Sequence, residues 1–535
     1  MQDQTFPWLT TLIVVPLIGA AVLWALPSAA RRHARPIAVG FSLVALLVGV
    51  LAALSFDSAD AGTHQLVEQA SWIPAFGVSY AVGVDGVGLL LVLLSVVLVP
   101  LVLLAAWREH PDRAAAGTEG TASAREVVAG GRIRHYMALV LVLEALMVAV
   151  FAARDVFLFY VLFEAMLIPV YFMVGAFGGL QRRYAAVKFL LFSLAGGLVM
   201  LAGVIALYLQ GPGGPEGFLV DNLVGTEMSV TTERLIFLAF FLAFAIKAPM
   251  WPVHTWLPDT AEQAPAGTSV LLVGVLDKVG TFGMLTLCLP LFPEASRWAA
   301  PVIIVLAVVS ILYGALLAIG QSDLMRLIAY TSVSHFGFIV LGIFAFTSVS
   351  VQGASLYMVN HGLSTGALFL IAGFLVARRG SQRIEDFGGL QKVVPVLAGT
   401  FLVAGLSALS LPGLSTFVSE FLVIVGTYGA NRPAAIVATL GVVLAAIYVL
   451  WTYQKVFTGP VRPELAATPD LSVREKVAVA PLLGLMLVLG FYPAPALDLV
   501  REPASQTLED VGVQDATASY ADETSTSTTD DGSDQ

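Results

Sequence analysis

Apolar residues dominate this chain in long runs, separated by short polar stretches. The runs fall at 8–27, 36–55, 86–107, 135–153, 156–177, 187–210, 234–263, 266–290, 299–319, 325–345, 352–377, 393–427, 433–457 and 477–496. A run of about 20 residues is the length of a helix crossing the hydrocarbon core. The pattern predicts an all-α polytopic membrane protein with about 14 transmembrane helices. The first run follows Asp3 rather than a basic segment and precedes Arg31, Arg32 and Arg35. It reads as a retained helix, not a cleaved signal.

Two of the runs are broken. One reads Phe244-Ala-Ile-Lys247-Ala-Pro249-Met-Trp-Pro252, the other Leu409-Ser-Leu-Pro412-Gly413-Leu414-Ser415. Proline removes a backbone donor and clashes with the preceding turn. In hydrocarbon the freed carbonyls need protein or water, so such breaks belong where helices line a hydrated cavity. With spans 4–8 and 9–13 taken as two five-helix units, each break falls in the fourth helix of its unit. An odd helix count inverts one unit relative to the other, and paired broken helices in matching positions point to a transport site. The expected organisation is 1–134 for three helices and a loop, 135–290 for the first unit, 299–457 for the second, 458–502 for a loop and the last helix, and 503–535 for an acidic disordered tail. No residue-level identity joins the halves, so the repeat rests on topology.

Charge orients the map. With the amino terminus outside, 18 of the 27 Lys and Arg residues fall in cytoplasmic loops, among them Arg113, Arg182, Arg183, Arg326, Arg378 and Arg379. Five lie on the outer side: Arg154, Arg234, Arg297, Arg432 and Arg501. That is a strong positive-inside bias and places both termini outside a bacterial inner (plasma) membrane. The net charge of −10 is concentrated in the last 33 residues, which hold eight acids and no base. Such a polar, acidic segment reads as a solvated tail. At 58% hydrophobic and 12% charged residues, the chain is far from a soluble composition. Its single cysteine, Cys288, excludes disulfides and any Cys-based cluster or zinc site within the chain. No G-x-G-x-x-G, Walker A or H-E-x-x-H motif is present. Nucleotide, flavin and zinc-protease chemistry therefore have no support, and membrane lipids rather than nucleic acid are the expected surroundings.

What the chain keeps inside its apolar runs carries the chemistry. A charged side chain at mid-span costs roughly 2.5–3.5 kcal/mol on insertion scales. Yet Glu144, Glu164, Lys188, Lys247, Lys278, His335, His361, Glu420 and Lys455 all lie within or at the ends of spans. Burial disfavours the charged form of either residue type, and an opposite charge nearby restores it. A buried Glu–Lys pair is thus a two-state switch that holds a proton when closed and releases it when open. Arginine lacks that property, and no Arg sits at mid-span. Structural alternatives stand beside each role. The lesser alternative for Glu164 is a packed acid, for Lys247 a cap on carbonyls freed by Pro249, and for Lys278 half of a local pair with Asp277. His335, His361 and His254 read as satisfied core histidines, and Glu420 as a structural acid. Lys188 and Lys455 read as snorkelling side chains, and Asp85 as a helix cap.

Several of these residues sit in longer motifs. They include Arg154-Asp155-Val-Phe through Phe163-Glu164-Ala-Met-Leu-Ile-Pro169, and Lys247-Ala-Pro-Met-Trp-Pro-Val-His254-Thr-Trp-Leu-Pro258-Asp259-Thr-Ala-Glu262-Gln-Ala-Pro265. Lys278-Val-Gly280, Ser332-Val-Ser-His335-Phe-Gly337 and His361-Gly362 complete the set. From about residue 70 to about 495 the chain resembles the antiporter-like subunits of respiratory complex I, NADH:quinone oxidoreductase. The resemblance implies that Glu164 and Lys247 form the switching pair, that Lys278 is the central proton carrier, and that His335 and His361 join the hydrated path. The span-12 group distinguishes members. Two types carry Lys there and the third carries Glu, as here at Glu420. The chain also ends soon after span 14, without the long lateral helix of the L-type member. The acidic tail departs from the family pattern.

The implied function is proton translocation, with flavin (FMN), iron–sulfur clusters and quinone in partner subunits and no cofactor or metal in this chain. The implied neighbours are membrane subunits of the L, N and K types. Alternatives are the D-type member of a multi-subunit sodium/proton antiporter, the membrane subunit of an energy-converting hydrogenase, a secondary transporter for a small solute, and a non-pumping structural subunit.

Overall fold

A computed structural model describes residues 6–108 and 122–515. Arg113 and residues 516–535 of the acidic tail lie outside the described residues. The apolar runs are helices, because in hydrocarbon every backbone group must bond within its own segment. Among the described residues, eleven helices are long and apolar enough to cross a membrane, and up to 12 when a bent pair is taken as one span. That pair, Val473–Phe491 and Ala494–Val511, bends by 69°. The segments expected as the two broken spans are Val230–Lys247 with Trp256–Gln263, and Pro395–Ala408 with Ser415–Ala430.

Each break satisfies its freed groups locally. Behind the first, Met250 N donates to Ala245 O at 3.0 Å, Trp251 N to Ser310 Oγ at 2.8 Å, and the Trp256 indole to Ile246 O at 2.9 Å. At the second, Ser410 and Gly413 take left-handed backbone angles, φ 60° and 90°. Glycine accepts that conformation freely and serine at a cost. The carbonyl of Ser415, which opens the following helix, accepts a hydrogen bond from Asn360 Nδ2 at 2.7 Å.

Burial separates the centre of the bundle from its rim. The spans at 266–291, 324–344 and 348–379 are each 94% buried over their apolar window, against 33% for the first helix. Lys278, His335 and His361 lie on these three spans, screened from lipid by other helices. The segment Ala266–Leu291 is not a regular α-helix. Two wider π-turns interrupt it, at Leu272–Leu276 and Met284–Cys288. Such turns insert a residue and rotate the side chains that follow.

The structure departs from the sequence reading in three places. The all-α expectation misses an antiparallel hairpin between the second and third spans, with strands Gln65–Ile73 and Val78–Val84. Gly77 turns it with φ 68°. Asp155 ties the hairpin to the bundle: one oxygen accepts from Ser79 N at 2.9 Å and the other from Leu158 N at 2.9 Å, capping the helix Val156–Ala165. Burial pushes the Asp155 carboxyl up, against the backbone N–H groups that favour its ionised form.

Second, the boundary placed at 503 falls inside the helix Ala494–Val511. The acids there occupy one face, while Ala496, Val500, Ala504, Leu508 and Val511 return every three or four residues and are buried. Arg297 donates to the carbonyl of Val511 at its end. Third, the last span, expected to reach 496, stops at Phe491 before Pro493.

Candidate functional site

The second half of the chain brings its candidates into one connected set. Lys278 and His361 meet with Nζ to Nδ1 at 2.7 Å, both fully buried. Lys278 Nζ also donates to the carbonyl of Val273 in the widened turn below it, and lies 5.1 Å from the centre of the Phe336 ring. The rings of His361 and His335 stand edge to face at 5.2 Å. His335 Nε2 is 3.3 Å from the Tyr448 hydroxyl, and its ring is 5.9 Å from that of Tyr357. Tyr357 donates to Glu420 Oε2 at 2.7 Å, and Ser410, at the second break, donates to the same oxygen. Lys278, His361, His335, Tyr357 and Glu420 thus form a line of proton-bearing groups across the bundle. Tyr357 and Tyr448 were not singled out from sequence, because a tyrosine in an apolar run is indistinguishable there from a core aromatic.

In the first half the groups are near one another but not bonded. Glu164 and Lys247 make no salt bridge, although each lies within electrostatic reach of the other. Lys247 Nζ is buried without a hydrogen-bond partner and rests 4.8 Å from the Phe163 ring centre and 5.9 Å from that of Phe189. Aromatic faces attract a cation when water is excluded. Glu164 occupies a notch on the neighbouring helix Arg182–Gln210: a Cβ added at Gly197 would lie 2.5 Å from its Cδ. Its Oε1 is buried and unbonded.

Glu144 is fully buried with both carboxylate oxygens without a hydrogen bond, so it is not bonded to any of the other candidates. His254, in the first break, packs edge-on against Tyr313 at 5.2 Å with neither ring nitrogen bonded, and makes no hydrogen bond to Lys278, His361, His335, Tyr357 or Glu420.

Lys188 is not a free snorkelling lysine. It pairs with Asp259 at 2.6 Å, and Arg326 bridges Asp259 at 2.5 Å and Glu262 at 2.8 Å. This four-residue ionic cluster links the helices at 182–210, 256–263 and 324–344. Asp323, just before the last of these, caps it through Arg326 N, and burial pushes its carboxyl up to about 6, with Glu262 adding to the effect. Lys455 lies 3.7 Å over the Trp451 ring at an exposed helix end. Asp85 caps its helix through Gly88 N at 2.7 Å. Among the described residues, no group of three or more His, Cys, Asp or Glu side chains is placed to hold a metal ion.

Residues 153–447 match the family described as NADH:quinone oxidoreductase/Mrp antiporter, transmembrane. The chain belongs to this family, in its subunit M branch. It is 48% identical to NADH-quinone oxidoreductase subunit M of Mycobacterium tuberculosis over 96% of both chains, and 39% identical to the subunit M of Rhodobacter capsulatus over 92% of this chain and 94% of that one. Among solved structures, it is similar to a chain of respiratory complex I from Thermus thermophilus, with TM-score 0.82 and 31% identity over 94% of this chain and 99% of that one. A chain of the Mrp complex from Dietzia also gives TM-score 0.82, at 22% identity over 94% of this chain and 98% of that one. The latter likeness extends to the fold alone. The family's polytopic helical architecture agrees with the fold class read from the apolar runs.

Proposed function

We propose that this chain is a proton-translocating membrane-arm subunit of an NADH:quinone oxidoreductase, working between L-, N- and K-type neighbours in a bacterial plasma membrane with both termini outside. The observation that carries this reading is the bonded contact of Lys278 with His361, continued through His335 and Tyr357 to Glu420. These groups exchange protons without redox chemistry, and they cross from the helix after the first break to the helix after the second.

In the proposed cycle the closed Glu164–Lys247 pair holds its charges. Opening removes the carboxylate's support, and Lys247, desolvated against Phe163 and Phe189, gives up its proton toward Lys278. The histidines and tyrosines pass charge on to Glu420 and the outside, and water from the cytoplasm reloads the chain. Moving one charge against 100 mV requires about 2.3 kcal/mol. FMN, clusters and quinone in partner subunits supply that energy, and contacts between neighbours transmit it. Glu420 and the subunit M relatives favour this reading over the D-type member of a sodium/proton antiporter or a hydrogenase subunit, which share the fold.

The test is NADH-driven acidification of inverted membrane vesicles carrying Glu164→Gln, with complex assembly and artificial-acceptor NADH oxidation followed alongside. The proposal expects assembly and acceptor oxidation to survive while quinone-linked turnover and pumping collapse. Pumping at the parental rate would show the pair to be structural.

A further inference from the structure

Asp277 is a buried acid that the relay described above does not use. It is fully buried, and both of its carboxylate oxygens lack a hydrogen-bond partner. Unsatisfied buried carboxylates are costly, so a purely structural role would normally come with bonds to the carboxylate. The simplest such role is a local ion pair with the adjacent Lys278. The structure offers no such pair, since Lys278 Nζ turns instead to the Val273 carbonyl and to His361. Successive helix residues point about 100° apart, so the two side chains serve different faces.

The face that Asp277 serves is defined by its neighbour one turn on. Residues three apart share a helix face, and Gly280 marks a close approach of backbones. A Cβ added at Gly280 would lie 2.5 Å from the carbonyl oxygen of Phe244 and 2.7 Å from the amide nitrogen of Ala248. Those two residues flank Lys247 in the last turn before the first break. Asp277 closes the π-turn Leu272–Leu276, its amide donating back to Leu272 O at 3.0 Å, five residues earlier. The extra residue in that turn sets the helix rotation so that Asp277 and Gly280 share one face while Lys278 lies against His361. From this position Asp277 is within electrostatic reach of both Lys247 and Lys278.

We infer that Asp277 is the proton-carrying group between the two lysines, a residue of the relay in its own right. This deepens the proposed function and rests on it. Lys247 ammonium gives a proton, over hydrogen-bonded water, to the Asp277 carboxylate, leaving a neutral amine and a carboxylic acid. The acid then gives that proton to the neutral amine of Lys278, which becomes ammonium, and the carboxylate is regenerated. Net charge is conserved in each step: the first neutralises the Lys247–Asp277 pair, and the second regenerates an ion pair between Asp277 and Lys278. The carboxylate also removes the need for two like-charged lysines to face one another directly.

The experiment places Asp277→Asn, Asp277→Leu and Asp277→Glu in the assembled complex in inverted vesicles, beside Glu164→Gln. The expected result is normal assembly and artificial-acceptor oxidation in the Asn and Leu variants, with quinone-linked turnover and proton uptake down about tenfold or more. Asp277→Glu restores at least half of both. A structural acid behaves otherwise, since replacing an unpaired buried charge by an apolar side chain of similar volume is neutral or stabilising and leaves turnover intact. Parental pumping in Asp277→Asn or Asp277→Leu overturns the inference. Failure of both to assemble while Asp277→Glu assembles overturns it too, because the carboxylate is then a folding requirement. If pumping survives in Asp277→Asn but not in Glu164→Gln, only this inference fails. If it survives in both, the proposed Glu164–Lys247 switch fails with it.

Discussion

Gly197 gives a way to disturb the proposed Glu164–Lys247 switch without removing any of its chemistry. The Glu164 carboxylate fills the notch left by the missing side chain, and an alanine methyl there would lie 2.5 Å from Cδ and overlap the nearer oxygen. Non-bonded carbons settle at about 3.5–4.0 Å, so the carboxylate must retreat by about 1 Å or the helices must part. Overpacking of a tight site costs roughly 1–3 kcal/mol. If that strain opposes the working position of Glu164, it appears in the rate, where each 1.36 kcal/mol is about tenfold. Gly197→Ala should therefore lower quinone-linked NADH oxidation by about fivefold to a hundredfold while leaving artificial-acceptor oxidation unchanged. The assay is the ratio of these two rates in membranes of equal complex content. A parental ratio would refute the reasoning, because it would mean the carboxylate leaves its notch at no cost to coupling.

Further expectations concern the far end of the line and the ionic cluster. Tyr357→Phe removes the hydroxyl that donates to Glu420 at 2.7 Å. A hydrogen bond to a charged group is worth roughly 1.5–3 kcal/mol, so proton uptake in vesicles should fall about tenfold or more with assembly intact. Asp259→Asn strips Lys188 of its carboxylate and leaves Arg326 with Glu262 alone. The side chains are only 20–26% exposed, so screening is partial. The loss should be roughly 1–3 kcal/mol, seen as less assembled complex on native gels and a lower unfolding temperature. An unchanged amount and unchanged melting would show the cluster to be energetically idle.

Much of the candidate site is legible in the sequence because hydrocarbon penalises ionisable groups. Glu164, Lys247, Lys278 and Glu420 stand out from the apolar letters around them, and Pro249, Pro252 and Pro412 mark both breaks. What stayed hidden had no such contrast. Tyr357 and Tyr448 blend into aromatic-rich spans. Asp277 is masked by its neighbour, since an adjacent Asp and Lys suggest mutual neutralisation, and only the bonds of Lys278 to Val273 and His361 show that the two side chains face apart. Lys188 sits at a helix end, where a snorkelling lysine is ordinary. Its partner Asp259 lies 71 residues away, brought close by the first break. The hairpin was overlooked because one strand, Val78–Val84, is mostly buried and does not alternate. In the helix Ala494–Val511 the acids outweighed an apolar repeat that was present in the letters all along.

Proton transfer between the two halves turns on the Lys278–His361 junction. The direct test is Lys278→Met in the assembled complex, with protons moved per NADH oxidised measured in inverted vesicles. Methionine keeps much of the side chain's bulk and apolar stem but cannot carry a proton to His361. The relay predicts that quinone-linked oxidation and proton movement both collapse while artificial-acceptor oxidation continues. Parental turnover with the parental number of protons per NADH would show that the Lys278–His361 contact carries no protons and would contradict the mechanism.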